Sequence, residues 1–182
     1  MINIYKLKLT VLQQEILRFL FVKAGRSFNA RNIAVSLGVS QPAVSKALPL
    51  LAKEGFIKMQ KDKESKRLSI ELDRDDADVI GVKRADNLRQ IYECGLYRLL
   101  YNAFAGATVI LFGSYAFGED TRESDIDIAV IGAEKKALGL EKYEKLLERD
   151  IVLNHYPSFK SIDKNLLGSI LNGIVLKGSV EL

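Results

Sequence analysis

A single cysteine, Cys94, stands among the 182 residues, which excludes an internal disulfide framework and a zinc site built on a cysteine cluster. No apolar run approaches the ~20 residues a bilayer span needs. The N-terminal MINIYKLKLT lacks the apolar core of a signal peptide, so a cytoplasmic protein with no membrane partner is the expectation. Core-forming residues are not scarce: 48% are hydrophobic and 27% charged, which excludes disorder and low-complexity architectures. The length allows one domain or two compact ones.

Charge is divided unevenly along the chain. Residues 1–73 carry 13 Lys+Arg against 6 Asp+Glu, whereas residues 74–182 carry 14 against 17. A basic half beside an acidic one points to two modules with different partners.

In the basic half, Leu12, Ile16, Phe19 and Leu20 recur at helical spacing and predict a helix over about Thr10–Lys23, ended by Gly25. A short extended piece at Ser27 and Phe28 follows, and Asn29 is placed to cap a second helix through Leu37. Gly38 suits a left-handed helix end. Ser40 caps a third helix with Pro42 in its first turn, where a missing N–H costs nothing. Pro49 lies inside that helix and is expected to kink or shorten it. Phe56–Met59 and the alternating Leu68, Ile70 and Leu72 read as two strands around a charged tip, Lys61–Arg67.

The segment IAVSLGVSQPAVSKALPLLAKEGFI resembles the winged helix-turn-helix of MarR- and ArsR-type regulators over about residues 8–73. The resemblance implies that the third helix enters the major groove of double-stranded DNA and that the wing touches its backbone. Gln41, Ala43, Ser45 and Lys46 are what this helix leaves outside, and Gln, Ser and Lys side chains can read base edges or hold phosphates. Lys61, Lys63, Lys66 and Arg67 on the wing offer sequence-blind phosphate contacts. Such modules often pair on half-sites, so a homodimer is also expected.

Leu88, Ile91, Tyr92, Leu96, Leu99, Leu100 and Phe104 follow a 3.6-residue period and predict one long helix over about Val79–Phe104, with Cys94 as a packing residue. The expected organisation is a winged helix at 1–73, a connecting helix at 74–105 packed on the next domain, and a catalytic domain at 106–182.

Thr108–Phe112 is an unbroken apolar run, as in a strand buried on both faces. Gly113-Ser114 follows, then a short helical stretch ended by Gly118. In Asp125-Ile126-Asp127-Ile128, alternation places both acids on one side of a strand. Two carboxylates so held can share a hard cation such as Mg2+. A glycine lets a phosphate approach the backbone, and the serine adds a hydroxyl. Together they describe a site for a nucleoside triphosphate with its metal.

Gly-Ser, ten residues, then Asp-x-Asp is similar to the signature of the DNA polymerase beta nucleotidyltransferase superfamily. LFGSYAFGEDTRESDIDIAV resembles its minimal members over about residues 84–182. The resemblance implies an α+β fold whose second domain is a small mixed sheet flanked by helices. It implies that Gly113 and Ser114 hold the triphosphate of ATP or another NTP and that Asp125 and Asp127 bind Mg2+, with Ser114 and both acids serving catalysis. It further implies transfer of a nucleoside monophosphate to a hydroxyl, in some members on a HEPN-type toxin partner.

Active relatives carry a third carboxylate on a later strand. Here the best register puts Val152 at that place, with Asp150 able to substitute if the register slips and equally able to cap a helix end. Phe117 stands where relatives often have arginine. His155, the one histidine, reads as a structural strand-end residue. A helix over about Leu138–Glu148 is expected with Tyr143, Leu146 and Leu147 inward. A C-terminal helix is expected to pack through Ile162, Leu166, Leu167, Ile170 and Leu171. Three functions fit: a protein-modifying, antitoxin-like nucleotidyltransferase coupled to DNA binding; a DNA-binding regulator that only senses nucleotide; and a small-molecule modifier, disfavoured by the absence of an acceptor domain.

Overall fold

Capping side chains and glycines set the ends of the first three helices. Thr10 and Gln13 exchange reciprocal side chain–backbone bonds at the start of α1 (Val11–Val22). Asn29 and Asn32 do the same for α2 (Ala30–Leu37), which stops at Gly38 with φ +66°. Ser40 caps α3 (Gln41–Lys53) by accepting from the Ala43 N–H. Pro49 does not shorten α3, which runs on to Lys53. Ser45, whose carbonyl loses its helical donor, is exposed and can be hydrated.

The structure, a computed structural model, describes residues 8–61 and 68–181. Strands β1 (Ile57–Lys61) and β2 (Leu68–Leu72) pair antiparallel. The extended piece at Phe28 adds a bridge to Ile70, with N···O distances of 2.8 and 2.7 Å. Ile16, Leu20, Ile33, Val44, Leu48, Leu51 and Ile70 close the core of this unit, each at most 1% exposed. Burial of such side chains stabilises by roughly 1.5–3 kcal/mol apiece. Helix, helix–turn–helix and two-stranded wing follow in the order of a winged helix-turn-helix.

The chain separates into two compact units, the first ending at Val79 and the second beginning at Ile80, inside α4 (Ala77–Glu93). The residues expected to form a separate connector therefore fall, from Ile80 on, in the second unit. The single long helix is two helices. Gly95, at φ +84°, breaks it, and α5 (Leu96–Ala103) starts afresh. Tyr92, expected inward, is 48% exposed, because the buried stripe of α4 in this unit runs through Lys83, Asn87 and Ile91 and leaves Tyr92 beside it.

The second unit is built on a four-stranded mixed sheet. Its order is β5 (Ile151–Tyr156), β4 (Ile126–Ile131), β3 (Thr108–Phe112), β6 (Ile174–Lys177). β3 runs antiparallel to both of its neighbours, and β4 runs parallel to β5 through a crossover that contains α7 (Glu141–Leu147). Central β3 is buried from Val109 to Phe112, as its unbroken apolar run predicts.

One sheet face carries Val109, Leu111, Ile126, Ile128 and Val130 against Ile91, Leu96, Leu100, Phe104, Tyr143 and Leu147. The other carries Ile110, Phe112, Ala129 and Ile131 against Phe159, Ile162 and Ile170. Leu146 points outward at 66% exposure, because α7 is only two turns long and its inward stripe is Tyr143 and Leu147 at i and i+4. In α8 (Lys164–Leu171) only Ile170 is buried; Leu166 and Leu171 are exposed and Ile162 precedes the helix. Among the described residues no helix is long and apolar enough to cross a membrane. The fold is α+β.

Candidate functional site

The first geometric fact about the Gly-Ser turn is a close approach. β3 leads directly into α6 (Gly113–Phe117), and its last residue, Phe112, pairs with Asp127 on β4. Gly113 adopts φ +73°, and a Cβ placed on it would lie 2.7 Å from Asp127 Oδ2. Glycine is required here twice over, by its backbone conformation and by the acid beside it.

Asp127 is half-buried on the Ala129–Ile131 face of β4, and Asp125, one residue before the strand, is exposed on the same side. Burial raises the Asp127 carboxyl above its ordinary value of 3.8, and the Asp125 carboxylate raises it further. Burial also raises the Tyr156 phenol, with a smaller push from Asp127, so this tyrosine of β5 shares the electrostatic environment of the acid. Ser114 is half-buried in the first turn of α6.

Across the parallel pair, Asp127 is in register with Val152. Asp150 lies just outside β5; its carbonyl accepts from the Ile126 N–H at 2.8 Å. Asp125 and Asp150 both line a cavity of about 420 Å³ with Arg122, Glu144, Lys145 and Arg149. Among the described residues no group of three or more His, Cys, Asp or Glu side chains could hold a metal. The acid brought against the glycine turn is Asp127, and Asp125 is close enough to it to raise its carboxyl. A pair suits Mg2+, which takes one or two carboxylates and completes its shell with phosphate oxygens and water.

His155 pairs with Val130 and so lies on the sheet face opposite Asp127. Its ring stands edge-on to Phe104 at 5.5 Å, and neither ring nitrogen has a hydrogen-bond partner.

Two features had no clear signal in the sequence. At Phe117 an arginine is present after all, but from α4: the Arg84 guanidinium lies 5.9 Å from the Phe117 ring centroid. The second is a buried polar hub. Asp120, in the loop between α6 and β4, accepts from Lys83 Nζ and from Asn87 Nδ2 (2.7 Å) through Oδ1, and from Arg149 (3.2 Å) through Oδ2. Lys83, Asn87, Asp120 and Arg149 are between 1% and 5% exposed. The one available hint is that Lys83 and Asn87 stand four apart in a helix whose inward residues are otherwise apolar.

In the first unit, Gln41, Ser45 and Lys46 are exposed on α3 and Lys61 is exposed at the end of β1. Lys63, Lys66 and Arg67 lie outside the described residues. Gln41 and Ser45 line a cavity of about 530 Å³ with Asn29, Ala30, Arg31 and Leu68, so Arg31 joins the surface that α3 presents.

Residues 98–166 match the family model described as Nucleotidyltransferase domain. No curated protein matches the chain. Among solved structures the chain is similar to the adhesin competence repressor AdcR of Streptococcus pyogenes, at 24% identity over 54% of this chain and 69% of that one, TM-score 0.42. It is also similar to a variant of Lactococcus lactis ZitR in complex with DNA, at 22% identity over 58% and 69%, TM-score 0.42. A third is the Staphylococcus aureus MepR–DNA complex, at 22% identity over 52% and 81%, TM-score 0.38.

Proposed function

We propose that the second unit is a Mg2+-dependent nucleotidyltransferase and that the first unit binds double-stranded DNA. The donor is ATP, and the group transferred is AMP, to a hydroxyl on a protein partner. The observation that carries this reading is the apposition of Asp127 to Gly113, which sets a half-buried acid against a backbone turn that has no side chain of its own in the way.

Each residue has a role that follows from its chemistry. Gly113 leaves room for the triphosphate, and Ser114 offers a hydroxyl to it. Asp125 and Asp127 hold the metal; burial and, after it, the Asp125 carboxylate raise the Asp127 carboxyl, and a cation held by the two acids would offset both costs. Bound Mg2+ would neutralise charge developing on the phosphate oxygens during transfer. The acceptor oxygen bonds to the α-phosphorus, the bond from that phosphorus to the bridging oxygen breaks, and pyrophosphate leaves. Asp150 lines the cavity next to Asp125 and is the acid available to take the acceptor's proton. A HEPN-type toxin is the acceptor implied by the resemblance, which makes the chain antitoxin-like.

For the first unit, Gln41, Ser45 and Lys46 face outward on α3 as a base-reading surface, and the 1–73 segment is strongly basic. Lys61, Lys63, Lys66 and Arg67 supply phosphate contacts on the wing, and a homodimer would present two such surfaces.

Labelled ATP and Mg2+ incubated with the chain and the products of adjacent genes test the reading. Label should move to one of those proteins, and Asp125→Asn with Asp127→Asn should abolish the transfer. Transfer that survives the double change would refute the assigned site. One observation favours a second reading. The residue beside Asp127 on β5 is Val152, which suits a regulator that binds nucleotide without transferring it. In that case ATP shifts DNA affinity and no pyrophosphate appears.

A further inference from the structure

The buried hub at Asp120 reaches the candidate site from three directions. Its Asn87 amide donates both to Asp120 and to the Tyr115 carbonyl (2.9 Å), in the helix that begins at Gly113-Ser114. Its Arg149 donates to Asp120 and to the carbonyl of Glu148 (3.0 Å), the residue at φ +52° that closes α7. Arg149 also lines the cavity shared by Asp125 and Asp150. Asp120 is thus the point at which α4, α6 and the turn before β5 are joined.

The loop between Asp120 and Asp125 transmits that constraint. Thr121 and Ser124 close a small turn, with the Thr121 N–H donating to Ser124 Oγ (3.0 Å) and the Ser124 N–H to the Thr121 carbonyl (3.1 Å). Asp125 follows this turn directly. Asp120 and Asp125 therefore flank a turn that is closed by its own hydrogen bonds.

Stability alone is a poor reason for such a hub. Taking a carboxylate, an ammonium and a guanidinium out of water is expensive, and well-packed apolar residues of similar volume often serve a core as well or better. What apolar residues cannot supply is direction, because their contacts do not fix a loop to a given donor.

We infer that Asp120 is a positioning residue for the Asp125–Asp127 pair: it anchors the loop before β4 to Lys83 and Asn87 on α4 and to Arg149 beside Asp150, and thereby sets the metal-binding geometry. The inference rests on the nucleotidyltransferase reading for the site's purpose. Its test uses metal binding, which does not require transfer.

The experiment measures Mn2+ binding to the full chain, with and without ATP, by electron paramagnetic resonance, alongside thermal unfolding. Asp120→Asn keeps the shape and removes the charge. Because that change can also unfold the protein, a second variant replaces the charged members together: Lys83→Met, Asp120→Leu and Arg149→Met. A folded variant of either kind is expected to bind Mn2+ roughly 10–100-fold more weakly, the usual effect of losing a residue behind a metal ligand. Asp125→Asn is the control for loss of a ligand itself. If the triple variant unfolds at the wild-type temperature and binds Mn2+ as tightly as wild type, the positioning role is overturned and the nucleotidyltransferase reading stands. If wild type binds Mn2+·ATP but never releases pyrophosphate, transfer is overturned while weakened Mn2+ binding in the variants upholds the positioning role. A wild-type chain that binds no Mn2+ with or without ATP overturns both. Should neither variant fold, the hub is structural and the inference fails.

Discussion

Asp127 and Val152 are register partners across the parallel β4–β5 pair, so the edge-strand side chain beside the half-buried acid is aliphatic, and it is 37% exposed. An exposed edge position accepts a polar residue at a cost of up to about 1 kcal/mol. Val152→Asp is therefore expected to fold and to bind Mn2+ more tightly than wild type, as a third oxygen donor joins the pair. Calorimetric titration with Val152→Thr as the polar, uncharged control checks this. Equal affinity in the two variants would show that β5 does not face the metal.

Gly113 and Gly106 separate strain from crowding. Both adopt positive φ, +73° and +78°, but a Cβ at Gly106 would meet nothing within 4 Å, whereas one at Gly113 would strike the Asp127 carboxylate. Either change to Ala should cost about 1–2 kcal/mol for the left-handed backbone. Only Gly113→Ala should also weaken metal and nucleotide binding, by displacing Asp127. Thermal unfolding and ATP binding of the two variants, measured side by side, decide the point.

The raised Asp127 carboxyl has a signed consequence for stability. Because its proton is held more tightly in the folded chain than in the unfolded one, the metal-free protein loses stability as pH rises from 3.8 through the folded-state value. Asp127→Asn is free of this loss. The variant should therefore be the more stable of the two at neutral pH without metal, and the difference should vanish below about pH 3.8, where both states of the wild type are protonated. Adding Mg2+ should reverse the order, and the reversal should weaken as protons compete at low pH. Denaturant unfolding across pH, with and without Mg2+, measures all three.

On DNA, Lys46→Ala should weaken binding evenly across sequences and reduce the slope of log affinity against log salt by about 1. Gln41→Ala should instead cost about 1–3 kcal/mol at a matching base and leave the slope unchanged. A flat salt dependence in the wild type would turn the winged helix into a protein-binding module. Fluorescence anisotropy over a salt series reads both quantities.

Much of the fold was legible because its signals are local. Asn29 and Ser40 announce their helices through side chains that reach only three residues along the chain. Gly38 ends α2 by a preference of its own backbone. The apolar run at 108–112 needs only its composition to read as a central strand. Even the pairing of Val152 with Asp127 could be reached by counting along two strands. The break at Gly95 was harder, because the apolar period continues on both sides of it and one glycine inside a helical pattern is ambiguous. Leu146 and Leu166 were placed inward by a period that short helices do not sustain.

The sequence by itself determined which residues are the candidates for chemistry: the glycine–serine turn, the two acids and the outward positions of α3, each written within a few consecutive positions. Only the tertiary structure decided how close Gly113 and Asp127 come and that Lys83, Asn87, Asp120 and Arg149 meet in one buried hub. Those contacts join segments 14 to 37 residues apart in the chain. Nothing in a residue's neighbours encodes them, because burial and charge pairing depend on where the sheet brings distant segments together.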